Sequence, residues 1–350
     1  MEAHGTVGVV VPTWNRSAGA IRCLDGLERL TYPGCFTIVV DNGSRPAERE
    51  GLRAAVAGRR DVEVVALPEN RGFAAAVNLG VARVFARGAA AALVLNDDAE
   101  VEPDLVTVLV AAAAADPAAG IVAPRILDAE TGREVSRGER LGLALVCLPR
   151  TWLRVRRGGP GPYAVTGVLG VAFLVTRACH ERVGPLAEGF FAYYEEVDYC
   201  LRARAAGFHL LVAPAAGVRH AGFRGFAGGF TPLAAYLKAR NLPLLLRRQG
   251  GALDWALFVP TYAALVAASA ALYAARERGR GRAVLAALRR GVADGLRGRT
   301  GPPPAELVRP AGLSPPAYPS LPAYPSPPDK PSPPDKPSRA AESSRPAGTS

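Results

Sequence analysis

The stretch Ala91-Ala92-Leu93-Val94-Leu95-Asn96-Asp97-Asp98 (AALVLNDD, residues 91–98) decides how the first hundred residues fold. Its apolar run is too short for a helix of ordinary length and ends abruptly in an amide and two carboxylates. That is the pattern of a buried strand running out to a polar edge. Toward the N-terminus the pattern recurs three times. Residues 6–11 end in Pro12-Thr13-Trp14-Asn15-Arg16, residues 36–40 in Asp41-Asn42-Gly43-Ser44, and residues 62–67 in Pro68-Glu69-Asn70-Arg71-Gly72. Between these runs, residues 20–30 read as an amphipathic helix, and residues 73–87 place Phe73, Val77, Val81, Val84 and Phe85 on one helical face. Strands alternating with helices predict parallel β-α-β units in a sheet covered on both faces. The four polar clusters then share one edge, beyond the C-terminal ends of the strands, where open α/β sheets bind ligands.

Downstream, residues 128–160 are rich in Arg and Gly and read as an excursion over that edge. Order resumes at 165–176, at 190–207 and in a strand at 209–212. Residues 223–230, rich in Gly and Phe, read as a flap. Residues 255–275 carry no charge and lie between Arg247-Arg248 and Arg276, Arg278, Arg280 and Arg282. The length just reaches that of a bilayer-spanning helix. The Ala-rich composition, Pro260 and the basic flanks point instead to a helix lying on a membrane surface or packed into a core. From Pro302 the chain is Pro/Ser-rich and repeats SPPDK at 326–330 and 332–336, which predicts an extended, disordered tail.

The 350 residues are 49% apolar, enough for a sizeable core, and carry a net charge of +11. Such a balance suits anionic partners such as nucleoside diphosphates, lipid phosphates or an acidic membrane face. No aromatic-basic module supports a nucleic-acid partner. Cys23, Cys35, Cys147, Cys179 and Cys200 form no CxxC pair, which argues against a zinc knuckle or a disulfide framework. No basic segment followed by an apolar one opens the chain, so a cytoplasmic location is expected.

Five groups of residues could carry chemistry. Asn96-Asp97-Asp98 places adjacent carboxylates at a strand end, where they repel unless a cation separates them; Mg²⁺ commonly bridges such carboxylates to phosphates. A solvated acidic turn is the alternative. Asp41 could accept from a nucleobase or a ribose hydroxyl, or simply close an Asx-turn. Glu195-Glu196-Val197-Asp198 follows the aromatic run Phe190-Phe191-Ala192-Tyr193-Tyr194. One of its three carboxylates could serve as general base, or all could belong to a charged first helical turn. His220 suits a metal or phosphate role, and Arg240, followed by Asn241, could set a guanidinium on a diphosphate.

In order and context, VVVPTWNR (9–16), VVDNGS (39–44), ENRGFAAAVNLG (69–80), LVLNDDAEVEPD (93–104), GVLGVAFLVTRACHERVG (167–184), FFAYYEEVDYCLRARAAG (190–207), RH (219–220) and RN (240–241) resemble the family 2 glycosyltransferases, in their rhamnosyltransferase-like branch. The resemblance covers residues 5–245, and more weakly RGVADGLRGRTG (290–301). It implies a GT-A fold: an α/β Rossmann-like, mainly parallel mixed sheet flanked by helices. A nucleotide-sugar-binding half (1–125) and an acceptor-binding half (126–245) would precede a helical, membrane-association candidate (246–301) and the tail (302–350). Carried over, Pro12, Thr13, Trp14, Asn15, Arg16, Asp41, Asn70 and Arg71 would cradle the nucleotide of a nucleoside-diphosphate sugar, with Asn96, Asp97 and Arg240 beside it. Asp98 matches the last carboxylate of the DxD-type motif and would ligate Mg²⁺ or Mn²⁺, with Asp97 and His220 assisting. Glu195-Glu196 matches the family's Glu-Asp pair, whose second member is the usual base, with Asp198 as rival. The implied reaction is inverting transfer of a sugar, rhamnose by branch, to a lipid-linked or cell-surface glycan at the inner face of the membrane. Asn96 and Glu196 both stand where the family usually has Asp. A pyrophosphorylase is disfavoured because the first loop has no Gly cluster. A non-catalytic nucleotide-sugar-binding scaffold is the remaining alternative.

Overall fold

The computed structural model describes residues 5–141, 155, 158–221, 231–276 and 281–308, with only the backbone of 275 and 276. The middle of the predicted excursion, the 223–230 flap, Arg278 and Arg280, and the tail beyond 308 lie outside the described residues. In chain order the elements are β1 (Val7–Thr13), α1 (Ser17–Leu27), β2 (Cys35–Asp41), α2 (Pro46–Val56), β3 (Val62–Ala66), α3 (Phe73–Ala86) and β4 (Ala91–Leu95). Then come β5 (Ala99–Val101), α4 (Leu105–Ala115), β6 (Ala119–Asp128), β7 (Glu134–Ser136), β8 (Tyr163–Val165), β9 (Ala172–Thr176), α5 (Arg177–Val183), α6 (Glu195–Ala205) and β10 (His209–His220). Helices α7 (Pro232–Gln249), α8 (Ala252–Arg276), α9 (Gly281–Leu296) and α10 (Ala305–Val308) follow.

The strands form one sheet in the order β3-β2-β1-β4-β9-β6-β10-β5, with β7 on β6 and β8 on β10. The four strands expected from the N-terminal pattern are parallel neighbours, and β6 and β10 run in the same direction. Strands β9, β5, β7 and β8 oppose them. Chain progression reverses at β1, with β2 on one side and β4 on the other, so a ligand crevice opens beyond their C-terminal ends.

The continuously apolar strands serve two layers. Val9, Val11, Val39 and Leu93 face α1 and α4, while Val10, Ile38, Val40 and Val94 face α3, α5 and α6. Each fully buried Val or Leu contributes about 1.5–3 kcal/mol of burial, which is why strands with no polar face are stable here. The sequence pattern missed two elements in this core. Strand β6 and the full length of β10, predicted only to residue 212, are interrupted by Pro124, Pro214 and a break in register between Ala213 and Gly217.

Helices α7, α8 and α9 carry cores of their own. Phe258 and Tyr262 of α8 are buried, and the Tyr262 hydroxyl donates to the Ala239 carbonyl at 2.7 Å. Trp255, Leu265, Val266, Ala270 and Tyr273 pack partly against the same cores, while Leu253, Leu257, Val259 and Leu272 face outward. By length and composition Ala252–Ala274 is long and apolar enough to cross a membrane.

Candidate active site

The four polar strand ends are joined into one network. The Asn15 N–H donates to Ser44 Oγ at 2.8 Å, and Asn15 Oδ1 accepts from the Arg45 N–H, fastening the loop after β1 to the loop after β2. Asn42 fastens the second to the third. Its amide donates to Asn70 Oδ1 and to the Gly72 carbonyl, each at 3.0 Å, and its oxygen accepts from the Arg71 N–H. Gly43 has φ +75, and a Cβ there would lie 2.2 Å from the Glu69 carbonyl carbon, so only glycine permits the close approach. Asn42 was quoted in the motif without a role; its two-sided amide was the available signal.

Several residues expected from the resemblance to contact the nucleotide are engaged in this network. Asp41 is fully buried, its Oδ1 accepting from the Ser44 N–H at 2.9 Å and its Oδ2 from Arg49 Nε at 2.8 Å. It closes an Asx-type turn, the alternative role the sequence offered for it. Pro12 is buried within β1, where it gives shape and no binding surface. Asn70 points inward and shapes its own loop. Trp14, Arg16 and Arg71 keep accessible surface on this edge, Arg71 reaching toward Glu188 at 3.4 Å.

At the end of β4 the acid pair is divided between two sets of partners. Asp97 Oδ2 accepts from the Thr13 hydroxyl at 2.7 Å, and its Oδ1 lies 3.2 Å from Arg16 Nη1. Asp98 Oδ2 accepts from Arg16 Nη2 at 3.0 Å, and its Oδ1 lies 2.9 Å from His220 Nε2. The antiparallel pairing of β5 with the end of β10 sets His220 opposite Ala99 and so brings the imidazole to Asp98. Burial pushes the Asp97 carboxyl up to about 6, opposed by Arg16 and reinforced by Asp98. Burial acts on Asp98 too, but His220 and Arg16 outweigh it and hold that carboxyl well below the usual carboxylate range. The expected three-ligand set is not assembled, because Asp97 turns to Thr13 and Arg16. Among the described residues no three His, Cys, Asp or Glu side chains group as metal ligands. Asp98 and His220 do sit together, beside a buried Asn96 amide oxygen that accepts no hydrogen bond. One carboxylate and one imidazole fit a hard ion bound chiefly through diphosphate oxygens.

The second acidic cluster opens α6, where the positive helix end favours carboxylates. Glu195 and Glu196 are buried. A Cβ on Gly170 would lie 3.5 Å from Glu196 Cβ, and Val171, the next residue, accepts from the Asn96 N–H at 2.9 Å. Glu196 thus lies one turn of chain from the end of β4. Asp198 is corrected: fully buried, it accepts from Arg202 Nε (2.8 Å), Arg248 Nε (3.0 Å) and Gln249 Nε2 (2.8 Å), and it anchors α6 to α7.

The loop leading into α6 is strained. Phe191, Tyr193 and Tyr194 have φ of 66, 68 and 72, and Phe191 (ψ −60) makes a tight turn closed by the Ala192 N–H on the Phe190 carbonyl at 2.8 Å. Such conformations cost non-glycine residues about 1–3 kcal/mol each. Arg240 is corrected as well. It is fully buried, and its guanidinium donates to Asn241 Oδ1, the Gly301 carbonyl and the Phe190 carbonyl at 2.9, 2.7 and 2.8 Å, so it reaches no diphosphate.

Residues 8–173 match the model of glycosyl transferase family 2. The chain is 28% identical over 265 residues to the N-acetylglucosaminyl-diphospho-decaprenol L-rhamnosyltransferase of Mycobacterium tuberculosis, covering 69% of this chain and 85% of that protein. It is 31% identical over 267 residues to the pre-mycofactocin glycosyltransferase of the same organism, covering 72% of this chain and 52% of that one. Its fold is similar to that of a mannosyltransferase from Pyrobaculum calidifontis solved with GDP-Man and Mn²⁺ (TM-score 0.54, 19% identity, 84% of this chain and 87% of that one). These likenesses set aside the pyrophosphorylase and scaffold readings: the chain is a glycosyltransferase of GT-A fold, whose residues 8–173 match family 2 and whose relatives include rhamnosyltransferases.

Proposed function

We propose that the protein is an inverting, metal-assisted transferase that moves a sugar, rhamnose by preference, from a nucleoside-diphosphate sugar to a hydroxyl of a lipid-linked glycan. The observation that carries this reading is the continuity from the end of β4 through Val171 and Gly170 to Glu196, which sets a candidate base beside the candidate diphosphate site. Asp98 and His220 would hold Mg²⁺ or Mn²⁺, which stabilises negative charge on a departing diphosphate. Thr13 and Arg16 keep Asp97 and Asp98 fixed, and Trp14 and Arg71 offer surface to the nucleotide. Glu196 takes the proton of the acceptor hydroxyl as its oxygen attacks the anomeric carbon from the face opposite the leaving group. Glu195 stands next to it as the alternative base.

The relative named for a decaprenol-linked substrate supports a lipid-linked acceptor. So does the outward apolar face of α8, whose neighbour α9 exposes Arg282 and Arg289, a combination suited to an anionic bilayer surface. A cytoplasmic membrane face, where activated sugar nucleotides occur, is the location this reading assigns.

The test is release of nucleoside diphosphate from a donor panel that includes dTDP-rhamnose. Membrane extract would serve as acceptor, with Mn²⁺, Mg²⁺ or EDTA present. Metal-dependent release from one donor, lost in Glu196→Gln while donor binding persists, supports the assignment. Equal turnover by Glu196→Gln removes Glu196 as base.

A further inference from the structure

Two fully buried side chains of α7 carry more hydrogen bonds to one loop than α7 needs for its own packing, and that loop delivers the candidate base. Asn241 Nδ2 lies 3.0, 2.8 and 2.8 Å from the carbonyls of Phe190, Ala192 and Tyr193. Arg240 donates to the Phe190 carbonyl and also fixes the Asn241 amide through its oxygen, so the amide can donate only toward the loop. One turn earlier on α7, the Lys238 ammonium lies 5.0 Å from the centre of the Tyr193 ring. The Phe190, Ala192 and Tyr193 carbonyls belong to the segment in which Phe191, Tyr193 and Tyr194 have positive φ, and the next two residues are Glu195 and Glu196. Tyr194 is the N-cap of α6 and has no side-chain cap bond, so the start of that helix, and with it the direction of the first-turn carboxylates, depends on the loop.

The clamp has an outer leg. Arg240 also donates to the Gly301 carbonyl, and the Gly301 N–H donates to the Gly189 carbonyl at 2.8 Å. The return from α9 is itself pinned: Asp294 accepts from the Tyr236 hydroxyl at 2.9 Å and from Arg299 Nη1 at 3.1 Å. The segment 294–301, which contains none of the candidate site residues, is therefore bonded to both ends of the machinery that shapes the loop.

We infer that Arg240 and Asn241 are positioning residues that hold the strained 189–194 loop and thereby aim the Glu195-Glu196 pair, with Gly301 as their outer support. This rests on the proposed base role of that pair. An unclamped loop relaxes toward ordinary backbone conformations and swings the carboxylates away from the acceptor hydroxyl, while the bonds that join the strand ends to one another involve neither Arg240 nor Asn241.

Asn241→Ala and Arg240→Lys in the full chain test it, with Glu196→Gln in parallel. The readouts are kcat from nucleoside-diphosphate release and the calorimetric Kd of dTDP and of UDP with Mn²⁺. The expected result is at least a tenfold fall in kcat for Asn241→Ala, a smaller fall for Arg240→Lys, and a Kd within twofold of the parent in both. Should Asn241→Ala fail to fold, Tyr236→Phe removes one bond that pins the outer leg through Asp294 and is expected to lower kcat about threefold with the same unchanged Kd. Folded variants with parental kcat, alongside an inactive Glu196→Gln, overturn the positioning role and leave the base assignment standing. A Kd that rises in proportion to the loss of kcat makes the loop a donor-binding element and overturns it too. An active Glu196→Gln removes the base itself, and the inference falls with it.

Discussion

Asp198→Asn separates a structural carboxylate from the proposed base, Glu196, two residues away. Asp198 is wholly buried and every group around it is a donor: Arg202 on its own helix, Arg248 and Gln249 on α7. Asparagine keeps one acceptor oxygen but turns an amide NH₂ toward a donor and removes the charge that two guanidinium groups share. Removing one partner of a buried pair costs about 3–5 kcal/mol. The Arg202 and Arg248 side chains are 20% and 49% exposed, so water recovers part of that, leaving about 2–3 kcal/mol. For a domain of this size each kcal/mol lowers Tm by roughly 2–4 °C, so thermal unfolding followed by circular dichroism should move down by roughly 4–12 °C. Turnover measured well below the transition should stay within about threefold of the parent, because Asp198 has no free face toward a substrate. A parental Tm with a loss of kcat of about a hundredfold or more would make Asp198 the base and Glu196 its helix-turn neighbour.

The other perturbations act on the donor side, the loop contact and the apolar helix. Asp98→Asn should weaken calorimetric binding of dTDP or UDP in Mn²⁺ by at least about tenfold and leave the metal-free value unchanged; an unaltered metal dependence takes Asp98 out of the ligand set. Gly72→Ala should lower the denaturant midpoint by the equivalent of about 1–3 kcal/mol, since φ is +93 and a Cβ would fall 2.5 Å from the Phe191 carbonyl oxygen. A midpoint equal to the parent's would show that the loop is not seated on Gly72. Leu253→Glu with Leu257→Glu should abolish co-sedimentation with phosphatidylglycerol vesicles at unchanged Tm, because both side chains already face outward. Retained binding would place the membrane contact elsewhere.

The first hundred residues were legible because their strands are buried on both faces and stop sharply at polar residues, so pattern and topology coincide. Boundaries moved by up to three residues, as in α1, read over 20–30 and found at Ser17–Leu27. Strand β6 did not declare itself: Ala119–Asp128 contains a proline and an arginine, and Arg125 Nε bonds the Pro214 carbonyl, a partner 89 residues away that no local pattern foretells. The second half of β10 was hidden for the same reason, and with it the physical route by which His220 reaches Asp98.

Within the candidate site, residue type was legible and direction was not. Sequence could place Asp41, Asp97, Asp98, Asp198 and Arg240 near one edge, but a carboxylate or guanidinium becomes a ligand or an anchor according to which way its neighbours' donors and carbonyls point. Asp41 is paired with Arg49 on the following helix, eight residues on, and Asp198 with Arg202 on its own helix, four residues on, so that in hindsight each pairing is a local signal. Arg240 has no such signal. Its partners lie about fifty and sixty residues away on opposite sides in sequence, and its burial follows from a loop whose left-handed tyrosines and phenylalanine carry none of the glycines that normally announce such a turn. A strained loop built from bulky residues has to be held from outside. The buried Arg-Asn pair is what holds it, and so a motif that reads as a phosphate contact in sequence is, in the fold, a support for the opposite side of the reaction centre.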